Sequence, residues 1–212
     1  MSGAIPWSRY KATLRRAQNG ELEHADEGGK RKAIEDLIEM ASVAATALAL
    51  QPFPGVDSAL VGPIQTRMIV AIARVHGYRL DPSAPSRDIL APLGEQLVIS
   101  HLTIAAAKLL PFLDLFGTAM VYGLMSATGD VSAEYYRRGR SMNRREMKAR
   151  FRATYRRAYE KAFNEKRDDL RALFREPQVR EQIRDLKRAR CKGTLGADEV
   201  AARIDQLLRE KP

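Results

Sequence analysis

Between Arg137 and Arg157 the chain carries ten lysines and arginines and a single acid, Glu146. Guanidinium and ammonium groups at that density suit one task above others: they hold phosphate oxygens. Each phosphate they neutralise releases counterions, so such binding falls with salt. On an anionic membrane each basic residue near the surface contributes about 1 kcal/mol. The candidate contacts are Arg137, Arg138, Arg140, Arg144, Arg145, Lys148, Arg152 and Arg156. The same segment carries Met147, Phe151, Tyr155, Tyr159 and Phe163, one every four residues, which makes a single helical stripe. A stripe of this kind suits a core, because a base-stacking platform would interleave its rings with the arginines. On that second reading the arginines are a solvated face over the core, and the sequence leaves both readings open.

Other reactive residue types are scattered. His24, His76 and His101 show no H-x-x-x-H or H-E-x-x-H spacing, and Cys191 is the one cysteine. No metal set is expected from them. Cys191 lies between Arg190 and Lys192, which favours a thiolate, but no base accompanies it. Asp57 is placed to cap a helix. Asp114 can cap a helix from Leu115 or pair with Lys108 or Arg67, and Gln65 reads as satisfying a neighbouring backbone group or helix. No catalytic constellation and no cofactor signature emerges, so the expected protein is non-enzymatic.

Composition sets the class. The chain has 212 residues, is 45% hydrophobic and 29% charged, and carries a formal charge of +10. From Arg137 onward there are 24 basic and 12 acidic residues, giving +12; the preceding residues hold 12 and 14, giving −2. That asymmetry favours an anionic partner: lipid headgroups, nucleic acid or an acidic protein. One cysteine excludes an internal disulfide framework and fits a reducing compartment. The segment MSGAIPWSRYKATLRR lacks the apolar core of a secretory signal. The expected location is the cytoplasm, including the cytosolic face of a membrane.

The elements that must carry the basic segment are helices. Residues 1–30 read as a polar arm, with Trp7 and Tyr10 available to dock it. Lys30 to Leu50 places Ile34, Leu37, Ile38, Ala41, Ala44, Ala45 and Leu48 at helical spacing. Pro52 and Pro54 stop it, and the next helix runs from Asp57 to about His76, with Pro63 expected to kink it or delay its start. Gly77 is a natural residue to end it. Residues 78–87 read as a linker. Helices are expected over 88–110 and 112–126, with 131–139 continuing or restarting after Thr128-Gly129-Asp130. Gly117 and Gly123 are small positions where helices can approach closely. A long helix is expected over 141–174, then two short ones over 178–192 and 197–209. The Pro-Phe turns PFPGVDS (52–58) and PFLDLFG (111–117) suggest two related helical hairpins. The stretch 97–127 is apolar but interrupted by His101, Lys108, Pro111 and Asp114, so it reads as a buried hairpin, with shallow membrane insertion as the alternative.

The run PFPGVDSALVGPIQTRMIVAIARVHG resembles the signature of a helical domain of unknown function. That domain occurs C-terminal to, or encoded beside, Era-like GTPases and in YcjF-type inner-membrane proteins. The matching positions are Pro54, Gly55, Asp57, Gln65, Met68 and Gly77. Pro111, Gly117, Gly129 and Glu134-Tyr135-Tyr136 stand for its second hairpin, whose usual Pro-Gly pair is replaced by Leu113-Asp114 after Pro111-Phe112. The resemblance covers residues 31–172 and implies an all-α domain associated with membranes or GTPases, without catalytic residues to carry over. No G-x-x-x-x-G-K-[ST] loop is present, and Gly28-Gly29-Lys30 lacks its spacing. The run IRDLKRARCKGTLGADEVAARIDQLL resembles the short C-terminal helical hairpin of SHOCT type, which implies assembly into oligomers.

The sequence therefore predicts an all-α helical bundle of two hairpins, a long basic helix and a C-terminal two-helix appendage, divided as 1–30, 31–175 and 178–212. The expected function is that of an interaction or scaffold protein at the cytosolic face of a bacterial inner membrane, with a GTPase as the implied partner. The alternative is a nucleic-acid-binding protein using residues 137–157.

Overall fold

The computed structural model describes residues 7–49, 57–81, 83–97 and 114–164, with isolated positions between 181 and 199. Every regular element among them is helical: α1 (Trp7–Gln18), α2 (Glu27–Ala49), α3 (Asp57–Val75), one π-helical turn (Ser86–Leu90), α4 (Asp114–Arg137) and α5 (Arg144–Asn164). The fold is an all-α bundle. α4 lies at its centre, against α2, α3 and α5, and α1 packs across α2 and α3.

Of the N-terminal arm expected over residues 1–30, the described part from Trp7 onward is structured. Within α1, Ala17 is fully buried, and Leu22 beyond it is nearly so. Arg74 donates to the Gln18 carbonyl at 2.6 Å, tying α1 to the end of α3. α2 starts at Glu27, earlier than the predicted Lys30, because the Asp26 carboxylate accepts the Gly29 N–H at 2.6 Å and caps the helix. Pro63 lies inside α3 without delaying its start. α3 ends at Val75 and is closed off two residues later by Gly77, with φ +82°. There the N–H groups of Gly77 and Tyr78 close onto the Arg74 and Ala73 carbonyls, both at 2.9 Å.

α4 runs without a break through Thr128-Gly129-Asp130. Its buried hydroxyls bond to their own helix: Thr128 donates to the Leu124 carbonyl (2.9 Å) and Ser132 to the Thr128 carbonyl (2.7 Å). These bonds let small polar residues line the contact with α2 and α3 without stranded donors. Gln65 of α3, almost wholly buried, donates to Thr128 Oγ1 at 2.8 Å. Ser42 of α2 meets Ser126 at 3.1 Å, and Tyr122 donates to Glu39. Hydrophobic side chains fill the space between: Leu37, Ile69, Ile72, Leu124 and Met125, with Met147 and Phe151 from α5.

The helix expected from Asp88 begins instead as a π turn, with the Ala91 N–H reaching the Ser86 carbonyl at 2.7 Å. Asp88 is buried there and receives Arg87 Nε at 3.1 Å and Arg140 Nη2 at 2.6 Å. Arg140 closes the α4–α5 turn with φ +66°, directly after Gly139 at the same φ. A left-handed arginine costs about 1 kcal/mol more than glycine there. Arg140→Gly and Arg140→Ala both lose the Asp88 pair, so Arg140→Gly is expected to be the more stable of the two by about 1 kcal/mol. Urea unfolding of both variants checks this.

Among the described residues no helix is long and apolar enough to cross a membrane. The two Pro-Phe turns, most of the 97–127 stretch, the 88–110 helix beyond Leu97, the basic helix beyond Asn164 and most of the C-terminal hairpin, Cys191 included, lie outside the described residues. So do Pro54, Gly55 and the side chains of Asp57 and Asp114.

Candidate anion-binding site

α5 presents the basic segment. Its start is fixed by a reciprocal cap: the Glu146 N–H donates to Asn143 Oδ1 and the Asn143 N–H to Glu146 Oε2, each at 3.0 Å. The one acid of the basic run thus sets the helix start and thereby the facing of its cations. The aromatic stripe turns inward. Met147 and Phe151 are buried, and the rings Phe151, Tyr155, Tyr159 and Phe163 stack successively at centroid distances of 6.0, 6.4 and 6.1 Å. Burial pushes the Tyr155 phenol up to about 12. Gly123 of α4 allows the close contact: a Cβ there would sit 3.2 Å from the Tyr155 carbonyl oxygen. The core reading of the aromatics is the one the packing supports.

The cations divide into two groups. On the α4 side most face carboxylates. Glu134, buried, accepts Arg137 Nε at 2.9 Å on one oxygen and Arg137 Nη2 at 2.6 Å on the other. Arg138 Nε adds a bond at 2.5 Å, and Arg150 Nη1 stands 4.0 Å away. The Arg137 hydrogen bonds are the largest influence holding the Glu134 carboxyl down to about 2, against the opposing effect of burial. Asp130 accepts Arg150 Nη2 at 2.8 Å and Thr154 Oγ1 at 2.7 Å. Arg140 is held by Asp88, and Arg156 pairs with Glu160 at 3.1 Å.

The second group lies on the other flank. Arg144, Arg145 and Arg152 have no acidic partner among the described residues. Arg144 donates its Nε to the Pro92 carbonyl at 3.2 Å, and its terminal amines make no further bond among those residues. Together with Lys148, Ala149 and Glu95 these three line an open cleft of about 620 Å³ between α5 and the segment after the π turn. Glu95 is mostly exposed and takes the Lys148 ammonium, which is itself mostly covered. The Lys148 hydrogen bond is the first cause of a Glu95 carboxyl held below its usual range, with Arg144 and Arg152 adding charge.

Of the eight candidate contacts, Arg137, Arg138, Arg140, Lys148 and Arg156 are thus engaged by carboxylates, and Arg144, Arg145 and Arg152 form no ion pair among the described residues. Sequence reasoning did not single out Glu95 or Ala149, which come to the cleft through tertiary packing, nor Arg150. The carboxylates Asp130 and Glu134 stand four residues apart, a spacing that marks one face of α4 and was visible in the sequence. Of the six positions of the resemblance, Gln65 and Met68 are buried in α3 and Gly77 closes it off.

A further recess of about 490 Å³ lies between the start of α2, His76, α4 and α5. His76 Nε2 and Arg150 Nε are buried there without a hydrogen-bond partner. Burial, then the nearby Lys30, keep His76 below its ordinary value. Its acidic and basic side chains balance in number, so it lacks the charge excess of the α5 cleft. Among the described residues no group of histidine, cysteine, aspartate and glutamate has the makings of a metal site. Comparison with family models, curated proteins and solved structures gives no match.

Proposed function

We propose that this is a non-enzymatic docking protein that binds the anionic surface of a membrane peripherally, through the outer flank of α5. One observation carries the reading: Arg144, Arg145 and Arg152 gather on one flank with no ion pair among the described residues and with Glu95, already taken by Lys148, as the one acid lining the cleft, while the rest of the basic run is largely tied to carboxylates. Lipid phosphates are favoured over nucleic acid as the anion because the aromatic rings of α5 stack inward, leaving the arginine flank without a base-stacking platform. A GTPase as the partner at that membrane rests on the resemblance of residues 54–77 alone.

Vesicle co-sedimentation tests the proposal. The protein is expected to sediment with phosphatidylglycerol-containing vesicles at low salt, to be released at high salt, and to ignore neutral vesicles. Arg145→Gln and Arg152→Gln are each expected to weaken binding about fivefold. Arg156→Gln, whose cation already pairs with Glu160, serves as the control and is expected to change binding much less. Absence of binding, or equal losses at positions 152 and 156, overturns the proposal.

A further inference from the structure

The α5 flank is more than a scattered charged surface, because its cations share one open cleft with Glu95. Arg144, Arg145, Lys148 and Arg152 fall at intervals that keep them on one side of α5, over a length of about 12 Å. Between them lies the small side chain of Ala149, and Glu95 stands on the opposite side, on the segment whose Pro92 carbonyl accepts Arg144. A flat basic patch would attract anions in proportion to charge. An open cleft of about 620 Å³ lined by four cations lets several of them reach one ligand at once. Its cations are also unequal. Arg145 and Arg152 stand ready, Arg144 has its terminal amines to offer, and Lys148 is occupied by Glu95 at the rim.

We infer that this cleft is a discrete site for a compact, multiply charged phosphate ligand, and that Glu95 is a built-in competitor that holds Lys148 until the ligand displaces it. The inference rests on the reading that this flank meets phosphate, and it names the class: clustered phosphoryl groups or a phosphomonoester dianion, in preference to isolated phosphodiesters. Two sources share that chemistry, a lipid headgroup and a soluble polyphosphate. Spacing supports the preference. Four cations within about 12 Å exceed what one singly charged phosphodiester can neutralise, whereas a polyanion can form charge-assisted hydrogen bonds to several of them at once. The rim carboxylate sharpens it further. A monoanion competes with Glu95 at equal charge, whereas a polyanion outcompetes it.

The test uses the full chain and two probes, inorganic tripolyphosphate and orthophosphate, titrated calorimetrically at low salt. Vesicles containing phosphatidic acid or phosphatidylglycerol form the second arm. Tripolyphosphate is expected to bind one-to-one and at least tenfold more tightly than orthophosphate. Glu95→Gln should tighten tripolyphosphate about fivefold, the effect of removing one competing charge, and misfolding cannot mimic such a gain. Ala149→Leu keeps the net charge and the helix propensity but adds bulk between the cations, and is expected to weaken tripolyphosphate at least tenfold. If Ala149→Leu binds as well as the wild type, or if Glu95→Gln gains nothing, the discrete site is refuted, and surface docking stands as long as vesicles still bind. Vesicle binding without tripolyphosphate binding has the same meaning. Tripolyphosphate binding without either vesicle supports the site with a soluble ligand and overturns the membrane proposal. Preference for phosphatidic acid over phosphatidylglycerol, lost in Ala149→Leu, supports the site with a headgroup ligand. Binding to no probe overturns both.

Discussion

Glu134→Gln is expected to lower unfolding free energy at pH 7 by about 2 kcal/mol, the scale of a lost hydrogen bond to a charged group. The neutral amide cannot satisfy Arg137 on both oxygens and Arg138 at once. The loss stays near that figure because the Arg137 and Arg138 side chains are about half exposed and can rehydrate. The same substitution should change the acid response. The folded carboxyl sits at about 2, below its ordinary value of 4.5. Its contribution is therefore complete above pH 4.5 and is lost as pH falls from there through about 2. Wild type should lose stability across that window faster than the variant, and the two should converge near pH 2. Urea midpoints at pH 7, 5, 3.5 and 2 read this directly. Two parallel curves would mean that the Glu134 carboxyl titrates alike in the folded and unfolded chain.

The second large effect is expected at Gly129. A Cβ added there would lie 2.5 Å from Ile38 Cγ1, with Cδ1 at 3.0 Å and Cγ2 at 3.2 Å, so α2 and α4 would have to separate or Ile38 change rotamer. In an unobstructed helix, glycine to alanine gains about 1 kcal/mol. Overpacking of this kind costs about 1–3 kcal/mol. Gly129→Ala is accordingly expected to destabilise by about 1 kcal/mol net. In an Ile38→Ala background the obstacle is gone, and the same substitution should become stabilising. A thermodynamic cycle over the four proteins measures the coupling. The same sign in both backgrounds would show that the contact is not what requires glycine.

Both predictions draw on a region the sequence revealed only in part. Helical class was legible because apolar residues recur at helical spacing from Ile34 to Ala45 and the aromatics every four residues from Met147 to Phe163. The terminator Gly77 was legible too, since its role is local. Gly123 stood out as a close-packing position, and it abuts Tyr155. Gly129 did not: beside Thr128 and Asp130 it looks like a turn. Only the tertiary setting, with Ile38 opposite and two hydroxyls bonded back to the helix, makes the trio helical. α1 was underestimated for a related reason. Its sequence is polar, and among its described side chains Thr13 and Ala17 are the buried ones. At the candidate site, sequence supplied the cations but not their division. Which arginines are neutralised depends on carboxylates brought in by packing, as with Asp88 and Glu95, each more than fifty residues upstream of its partner.

The central position of α4 also bears on how the chain is made. Synthesis delivers α1, α2 and α3 first, yet the apolar and hydroxyl faces of α2 and α3 are completed only by a helix that begins at Asp114. Until α4 leaves the ribosome, Leu37, Ile69 and Ile72 lack much of their eventual cover. Once it emerges, α5 follows after a turn of only six residues, Arg138 to Asn143, so that hairpin closes at small entropic cost. The nascent chain thus passes through an interval between α3 and α4 in which part of this apolar surface awaits its cover.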